Sequence, residues 1–372
     1  MKYRIIPDFP GFRTLDRYIL GKFMRTYIFG LIAMIVIIVI FDYSEKVDDF
    51  MENGAPTEGI IYSYYVNFIP YIVNQFSALF TFISVIFFTS KMAMQTEIVA
   101  ILSGGVSFRR LMWPYMVGSF IIASASLVLS LWVIPVSQTE SNKFLAKYMK
   151  KNPQLRYDPV VVQEIAPYEY FIVQGYNPAN AVIPGVYRER YSEEGDLLFK
   201  SETKNVTIDP ETNEWSADRS KTYELIGADE FRVEPRPYYS ETPDIDEREL
   251  GQIKPLVKTM TIEELNDFRE EQVRKGSKNV AIIDVERHTR VSYPVSTFIL
   301  TIIGVALSSR KVRGGMGMHL GLGIALCFSY IMLGRVTEQM AMGGAIEPWI
   351  GAWIPNIIFA FIAIIVYLKA PK

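Results

Sequence analysis

The chain has 372 residues, half of them hydrophobic and 13% aromatic, with a formal net charge of −2 and a mean hydropathy of +0.16. That is too apolar for an ordinary soluble protein of this size, whereas 21% charged residues exclude a chain lying wholly in lipid; membrane spans plus a polar domain are expected. A single cysteine, Cys327, excludes an intrachain disulfide and a cysteine-based metal site.

In chain order, residues 1–25 hold six Lys/Arg against two Asp. The first apolar run is followed by acidic residues rather than a small-residue cleavage site, so it does not read as a cleaved signal. That run, Thr26–Phe41, is the first of six stretches without Asp, Glu, Lys or Arg. It is shorter than the roughly 20 residues a bilayer core takes as helix and needs its flanks, with Arg25 snorkelling to the interface. Asp42–Glu58 follows with six acids and only Lys46 as a cation, then the second run, Gly59–Ser90.

Between the second and third runs lies "TEIVAILSGGVSFRRL", Thr96–Leu111. Thr96 is expected to cap a helix starting at Glu97, and Gly104-Gly105 to end it. Ile98, Ile101 and Leu102 then share one face and should present a small apolar ridge, which wants either a groove on a partner or a lipid surface. Glu97 beside it can pair with a basic residue on a partner, and Arg109 and Arg110 should anchor the third run, Leu111–Thr139, at the headgroups.

From about Pro159 to Leu256 the chain reads as strands, among them "YEYFIVQGY", "AVIPGVYRERY" and "LLFKSETKNVTI", separated by turn sequences such as "YNPAN" and "SEEGD". Short strands at this spacing predict an antiparallel sandwich or roll. Its expected inward residues come from Val160–Ile165, Tyr170–Val173 and Val182–Tyr187, giving a greasy interior that would act either as a cap or as a binding surface. Thr261 and Glu264 form a capping box before a helix expected to stop at Gly276, and "NVAIIDVERHTRV" leads into the fourth run, Val291–Ser309. The fifth, Gly314–Gly334, contains Gly315, Gly317, Gly321 and Gly323, which allow close approach or easy separation of helices; the sixth is Pro348–Leu368.

The connecting charges alternate in sign. Lys91–Arg110 holds three basic residues and Glu97, and Arg310–Arg313 three basic residues and no acid, whereas residues 140–290 carry 22 basic and 29 acidic residues, a net −7. The positive-inside rule puts both termini and the 91–110 and 310–313 loops in the cytoplasm and residues 140–290 on the far side. The predicted fold is an α+β membrane protein: six transmembrane helices, three before and three after an inserted antiparallel β-jellyroll-like domain. The expected organisation is 1–140 with a cytoplasmic helix at 96–104, a β domain at 141–258, a helical connector at 259–290, and the last three spans at 291–372.

Enzyme chemistry has little support. There are two histidines, His288 and His319, and no HExxH, GxSxG, CxxC or P-loop. The span interiors lack the ionisable groups that ion-driven carriers use for coupling. No cofactor and no nucleic-acid partner are expected. A six-span chain with a large external domain and no energy source of its own is expected to borrow energy from a partner.

"LDRYILGKF" at Leu15–Phe23, "TEIVAILSGGVSFRRL", and "SYPVSTFILTIIGVALSSRKVRGG" at Ser292–Gly315, together with the three-domain-three order, resemble the LptF/LptG permeases of the lipopolysaccharide exporter over essentially the whole chain. The resemblance implies an ABC transporter in the Gram-negative inner membrane with a periplasmic β domain. It implies a pair of such permeases, paralogous or identical, two copies of the ATPase LptB, and LptC-like and LptA-like periplasmic jellyrolls. Thr96–Gly104 would be the coupling helix, with Glu97 against an ATPase arginine and Ile98, Ile101, Leu102 and Gly104 completing the contact. Lipopolysaccharide would enter between the first and fifth spans, past Tyr43, Lys46, Gly321 and Gly323, and pass to the β domain near Phe171 and Val186. One departure stands out. Where some members carry a basic residue near the outer end of the first span, this chain reads "IFDYSEKVDDF", so phosphate recognition there is either absent or moved to Lys46. An ABC permease for another envelope lipid or lipoprotein, and a non-transporting membrane-anchored scaffold, are the alternatives.

Overall fold

The computed structural model describes residues 14–149, 161–175, 182–209, 212, 214–225, 231–243, 253–275, 277, 279–310 and 315–370. They belong to two compact units, one formed by Met1–Met149 with Ala281–Lys372, the other by Lys150–Val280.

The first unit is helical. Helix α1 (Thr14–Glu52) runs well beyond the apolar stretch at its centre, and at about 1.5 Å per residue it outreaches a hydrocarbon core of about 30 Å at both ends. A π-helical segment, Gly59–Tyr65, leads into α2 (Val66–Met94), and the short α3 (Glu97–Ser103) follows. Helix α4 (Phe108–Val128) continues through a second π-helical segment, Leu129–Val133, into α5 (Ile134–Tyr148), so the third span extends past its expected end at Thr139. The fourth span likewise starts early: α8 (Val280–Ser308) takes in the stretch expected to lead into it. Helices α9 (Gly315–Met342) and α10 (Pro348–Leu368) complete the unit. Among the described residues, six helical stretches are long and apolar enough to cross a membrane.

Helix α2 is central. Its Val85 and Phe88 join a core with Phe23 of α1 and Leu111 and Tyr115 of α4; Phe82 and Ile86 belong to a second core with Ile303 of α8, Cys327 of α9 and Phe359 of α10. Small residues permit the close crossings, as expected where lipid offers no hydrophobic drive between helices. A Cβ on Gly118 would lie 2.5 Å from the Phe23 ring, and one on Gly323 would collide with Ile86. Buried hydroxyls satisfy themselves on the preceding turn, as Thr81 does on the Ser77 carbonyl at 2.8 Å and Ser119 on that of Tyr115 at 2.9 Å.

The second unit is a curled antiparallel sheet: β1 (Val161–Ala166), β2 (Glu169–Gln174), β3 (Val182–Tyr191), β4 (Leu197–Ile208), β5 (Trp215–Ala217), β6 (Ser220–Leu225), β7 (Phe231–Arg236) and β8 (Tyr239–Glu241). The order is β1-β2-β3-β4-β5-β8, and β4 splits its partners: its last residues pair with β5, while Phe199–Thr203 pair with β6, which pairs in turn with β7. The dry core is Phe171, Val173, Ile183, Val186, Val206, Ile208, Trp215 and Ala217. The expected inward face of β1 is corrected: Val162 and Ile165 are exposed, and Val160 lies outside the described residues. Two helices follow, α6 (Ile253–Thr259) and α7 (Ile262–Arg274). The capping box at the start of α7 forms as expected, with Glu264 accepting from the Thr261 backbone at 2.8 Å; the expected stop, Gly276, lies outside the described residues.

Candidate functional site

Helix α3 is shaped by backbone chemistry at both ends. Thr96 precedes it at φ 61, in the left-handed region, and its hydroxyl donates to the Gln95 carbonyl rather than capping the helix. The expected cap is therefore wrong: the sharp reversal out of α2 turns the hydroxyl away from the α3 amides. At the other end Gly105 takes φ 86. Its amide donates to Leu102 at 3.0 Å and that of Val106 to Ile101 at 3.4 Å, the Schellman arrangement that glycine makes cheap.

The face that α3 presents also differs from expectation. Ile98 is fully buried, and Ile101 and Leu102 pack partly buried against the same core as Ile19, Met92 and Phe108. The apolar ridge thus seats α3 on its own bundle, and Val99, Ala100 and Ser103 form its exposed side.

Charges fasten α3 to the first span. Glu97 accepts from the Tyr18 hydroxyl at 2.9 Å and from Lys22 Nζ at 3.2 Å to each carboxylate oxygen, and that ammonium sits 4.3 Å from the Tyr18 ring centroid. A second pair lies deeper. Arg110 donates from both terminal nitrogens to the two oxygens of Asp16, at 2.5 and 2.6 Å, with the side chains 5% and 0% exposed. This bidentate geometry is the strongest form of the interaction. It corrects the expectation that Arg110 anchors α4 at headgroups; Arg109 is the exposed member of the two. Sequence reading missed Asp16, Tyr18 and Lys22, although all three stand in "LDRYILGKF". The first two sequence stretches singled out above are therefore joined to each other. The third stretch, in α8, packs on α4 and α2: Ser119 donates to Thr301 at 2.7 Å, and a Cβ on Gly304 would lie 2.9 Å from Val85.

The profile of the family described as lipopolysaccharide export system permease LptF/LptG matches residues 17–369. The chain belongs to this family. No individual curated protein matches it. As an LptF/LptG permease it is a multi-pass inner-membrane transporter subunit of a system that includes an ATPase and other Lpt proteins. Among the described residues no group of three or more His, Cys, Asp or Glu is placed to hold a metal ion.

At the far end of α1 in this permease, the candidate cation Lys46 is already engaged. It pairs with Asp42 and the Tyr64 hydroxyl, and its ammonium stands 4.8 and 5.5 Å from the Tyr64 and Phe68 ring centroids. Asp42 also accepts from Tyr64 at 2.9 Å and Tyr65 at 3.2 Å. Lys46 is thus paired within the chain by Asp42 and Tyr64. Tyr43 is exposed. Of the two glycines expected at the gate, Gly323 makes the close α2 contact, whereas a Cβ on Gly321 would meet open space. The first and fifth spans are the least buried of the six, and α2 packs between them, so they present separate faces of one protomer. Phe171 and Val186 are brought together in the β unit, where both line a partly open cleft.

Proposed function

We propose that this permease is the membrane subunit of an ABC transporter that extracts lipopolysaccharide from the inner membrane and delivers it to a periplasmic bridge. In this reading both termini and α3 face the cytoplasm and the β unit is periplasmic. An LptB-like ATPase dimer seats α3 through Glu97, with Ile98, Ile101, Leu102 and Gly104 fixing that helix from beneath. A second LptF/LptG-type permease supplies the fifth span opposite this α1 and the first span opposite this α9. Lipid passes at those seams, near Tyr43, Lys46, Gly321 and Gly323, then to the β unit and on to LptC-like and LptA-like jellyrolls.

The observation that carries the reading is the fastening of α3 to α1 by Lys22–Glu97, beside the Asp16–Arg110 pair that fastens α4 to the same end of α1. A short helix tied by charge to one of the two least-buried spans is suited to transmit a push. Mass spectrometry of the detergent-purified complex tests it. Co-purified ATPase and bound lipopolysaccharide are expected. Recovery of the permease with neither, from a membrane that retains both, would overturn the transporter in favour of an anchored scaffold; an ATPase with a different lipid would redirect the cargo.

A further inference from the structure

The C-terminal half of α9 is stitched to α10, and a proline starts the stitching. Pro355 stands inside α10 and has no N–H, so the Gly351 carbonyl one turn earlier loses its helical partner. The Thr337 hydroxyl of α9 donates to that carbonyl at 2.8 Å. Beside it the helices run close: a Cβ on Gly351 would lie 2.5 Å from that of Ala341. The Tyr330 and Phe359 rings meet edge to face at 5.1 Å. Between these contacts sits Asn356, 3% exposed. Its Nδ2 donates to the Ser292 carbonyl of α8 at 2.7 Å, and its Oδ1 accepts from the Tyr330 hydroxyl at 3.0 Å. The amide cannot be turned round, because a carbonyl only accepts and so holds the nitrogen on the α8 side. The next residue of α8 reaches α2, where the Tyr293 hydroxyl donates to the Gln75 carbonyl. The N-terminal half of α9 rests instead on α2 itself, through His319 with Ser90 and Gly323 against Ile86.

We propose that Asn356 is a positioning residue for the fifth span: it hangs α9 and α10 on α8 as one hairpin, which swings as a body when that bond breaks. Within the hairpin the Thr337 bond, the close Gly351 crossing and the ring pair act together over several turns. Towards α8, Asn356 reaches a main-chain carbonyl to which helical geometry already directs the Ser296 amide. Breaking that bond therefore orphans no group of α8, whereas parting α9 from α10 would strand the Gly351 carbonyl in hydrocarbon, where no water replaces the lost donor. The weak link lies between the hairpin and α8, not inside the hairpin. That α9 borders a lipid seam rests on the transporter reading. Given it, the moving edge of the seam is α9 and α10 together, and Asn356 sets its resting position.

The hairpin is tested on the full chain in lipid nanodiscs, without an ATPase, by pairs of spin labels on cysteines in a Cys327→Ser background. The labels replace exposed residues: Val66 at the start of α2, Met340 in α9 and Ile365 in α10. Asn356→Leu keeps the approximate shape and removes the bond to α8. It should raise the population of a second, longer Val66–Met340 distance about threefold to tenfold, as the loss of one intramembrane hydrogen bond allows. The Met340–Ile365 distance should stay unchanged. A changed Met340–Ile365 distance with a constant Val66–Ile365 distance would mean that α9 moves alone, and would overturn the hairpin. No change in any pair would remove Asn356 as the tie. Should Asn356→Leu fail to fold, Asn356→Ser, too short to bridge α9 and α8, is read against the same outcomes. In the complex with its ATPase, Asn356→Leu should lower the lipopolysaccharide delivered per ATP while hydrolysis is retained. Equal loss of delivery and hydrolysis would make Asn356 a merely structural residue. Failure to recover an ATPase would sink the transporter reading and leave the distance result standing.

Discussion

Helices α1 and α9 are alike in exposure and unlike in attachment. Both leave most of their apolar length unburied within the protomer. Helix α1 is fixed by charge near both ends: Asp16–Arg110 and Lys22–Glu97 at one, Asp42 and Lys46 with Tyr64 at the other. Helix α9 is fixed by neutral contacts: His319 Nδ1 with Ser90 at 2.9 Å, Gly323 beneath Ile86, and Tyr330 donating to Asn356 at 3.0 Å. Charge pairs sit where a long helix leaves the hydrocarbon, while neutral hydrogen bonds and small residues hold the interior, where charge is expensive. The lesson is mechanical. Helix α1 is tied by charge to α3 and α4 and rests on α2, where Tyr27 meets Ser77 at 3.0 Å, while α9 is seated on α2 and α10, so α2 is the element the two helices share.

The largest expected effect breaks the buried clamp. Asp16→Ala leaves Arg110 buried without its carboxylate, a change that costs about 3–5 kcal/mol when one partner of a buried pair is removed. Thermal melting of the detergent-solubilised chain should fall steeply. Asp16→Leu combined with Arg110→Met should recover most of that loss, since apolar replacement of a buried pair is often neutral. If the single and double variants melt alike, the pair is not what fixes this end of α1.

That clamp marks the limit of what the sequence discloses. The six spans and the three-domain-three order were legible because hydrophobic runs and loop charge are local signals. The α3 boundaries were legible from Glu97 and the double glycine. The face of α3 was not: the Ile98 ridge has the same spacing whether it meets a partner or its own bundle, and only packing decides. Asp16 and Arg110 stand 94 residues apart, and nothing local pairs them. In the β unit, the alternation of Ser201 and Thr203 in "LLFKSETKNVTI" shows that they share a face; that they face inward follows only from their register with β3 and β6.

A smaller effect probes the α9 side. Gly323→Val puts branched carbon where Ile86 already sits, and overpacking of this kind costs about 1–3 kcal/mol. Gly321→Ala, two residues from the same contact but facing open space, should leave melting unchanged. Equal sensitivity at the two positions would mean that α9 is not seated on α2 through Gly323.

The β unit supplies a pH-dependent contrast. Burial alone would raise the Glu189 pKa, but Lys200 at 2.8 Å and Tyr191 at 2.8 Å donate to its carboxylate and hold it below its ordinary value of 4.5. A lowered folded-state pKa means that the stabilisation is fully present above 4.5 and is lost as pH falls through the lower folded value. Melting should therefore decline on acidification below that point, and Glu189→Gln should flatten the decline while costing at most about 1 kcal/mol near neutrality, as part-exposed pairs do. An unaltered acid limb in the variant would remove Glu189 from the account.

The smallest change to the fold is expected to be the most informative about coupling. The Lys22 and Glu97 side chains are 34% and 29% exposed, and such pairs contribute about 0.2–1 kcal/mol, so Lys22→Met and Glu97→Gln should both leave melting almost unchanged. Their effects on ATPase recovery should diverge. Glu97→Gln removes the carboxylate that an ATPase cation would use, and recovery should fall. Lys22→Met leaves that carboxylate in place and removes its internal competitor, so recovery should hold or rise, while α3 loses one of its ties to α1 and transport per ATP hydrolysed should drop. If instead both variants lose ATPase alike, Glu97 serves only to hold α3 against α1, and the partner engages the exposed Val99–Ala100 side alone.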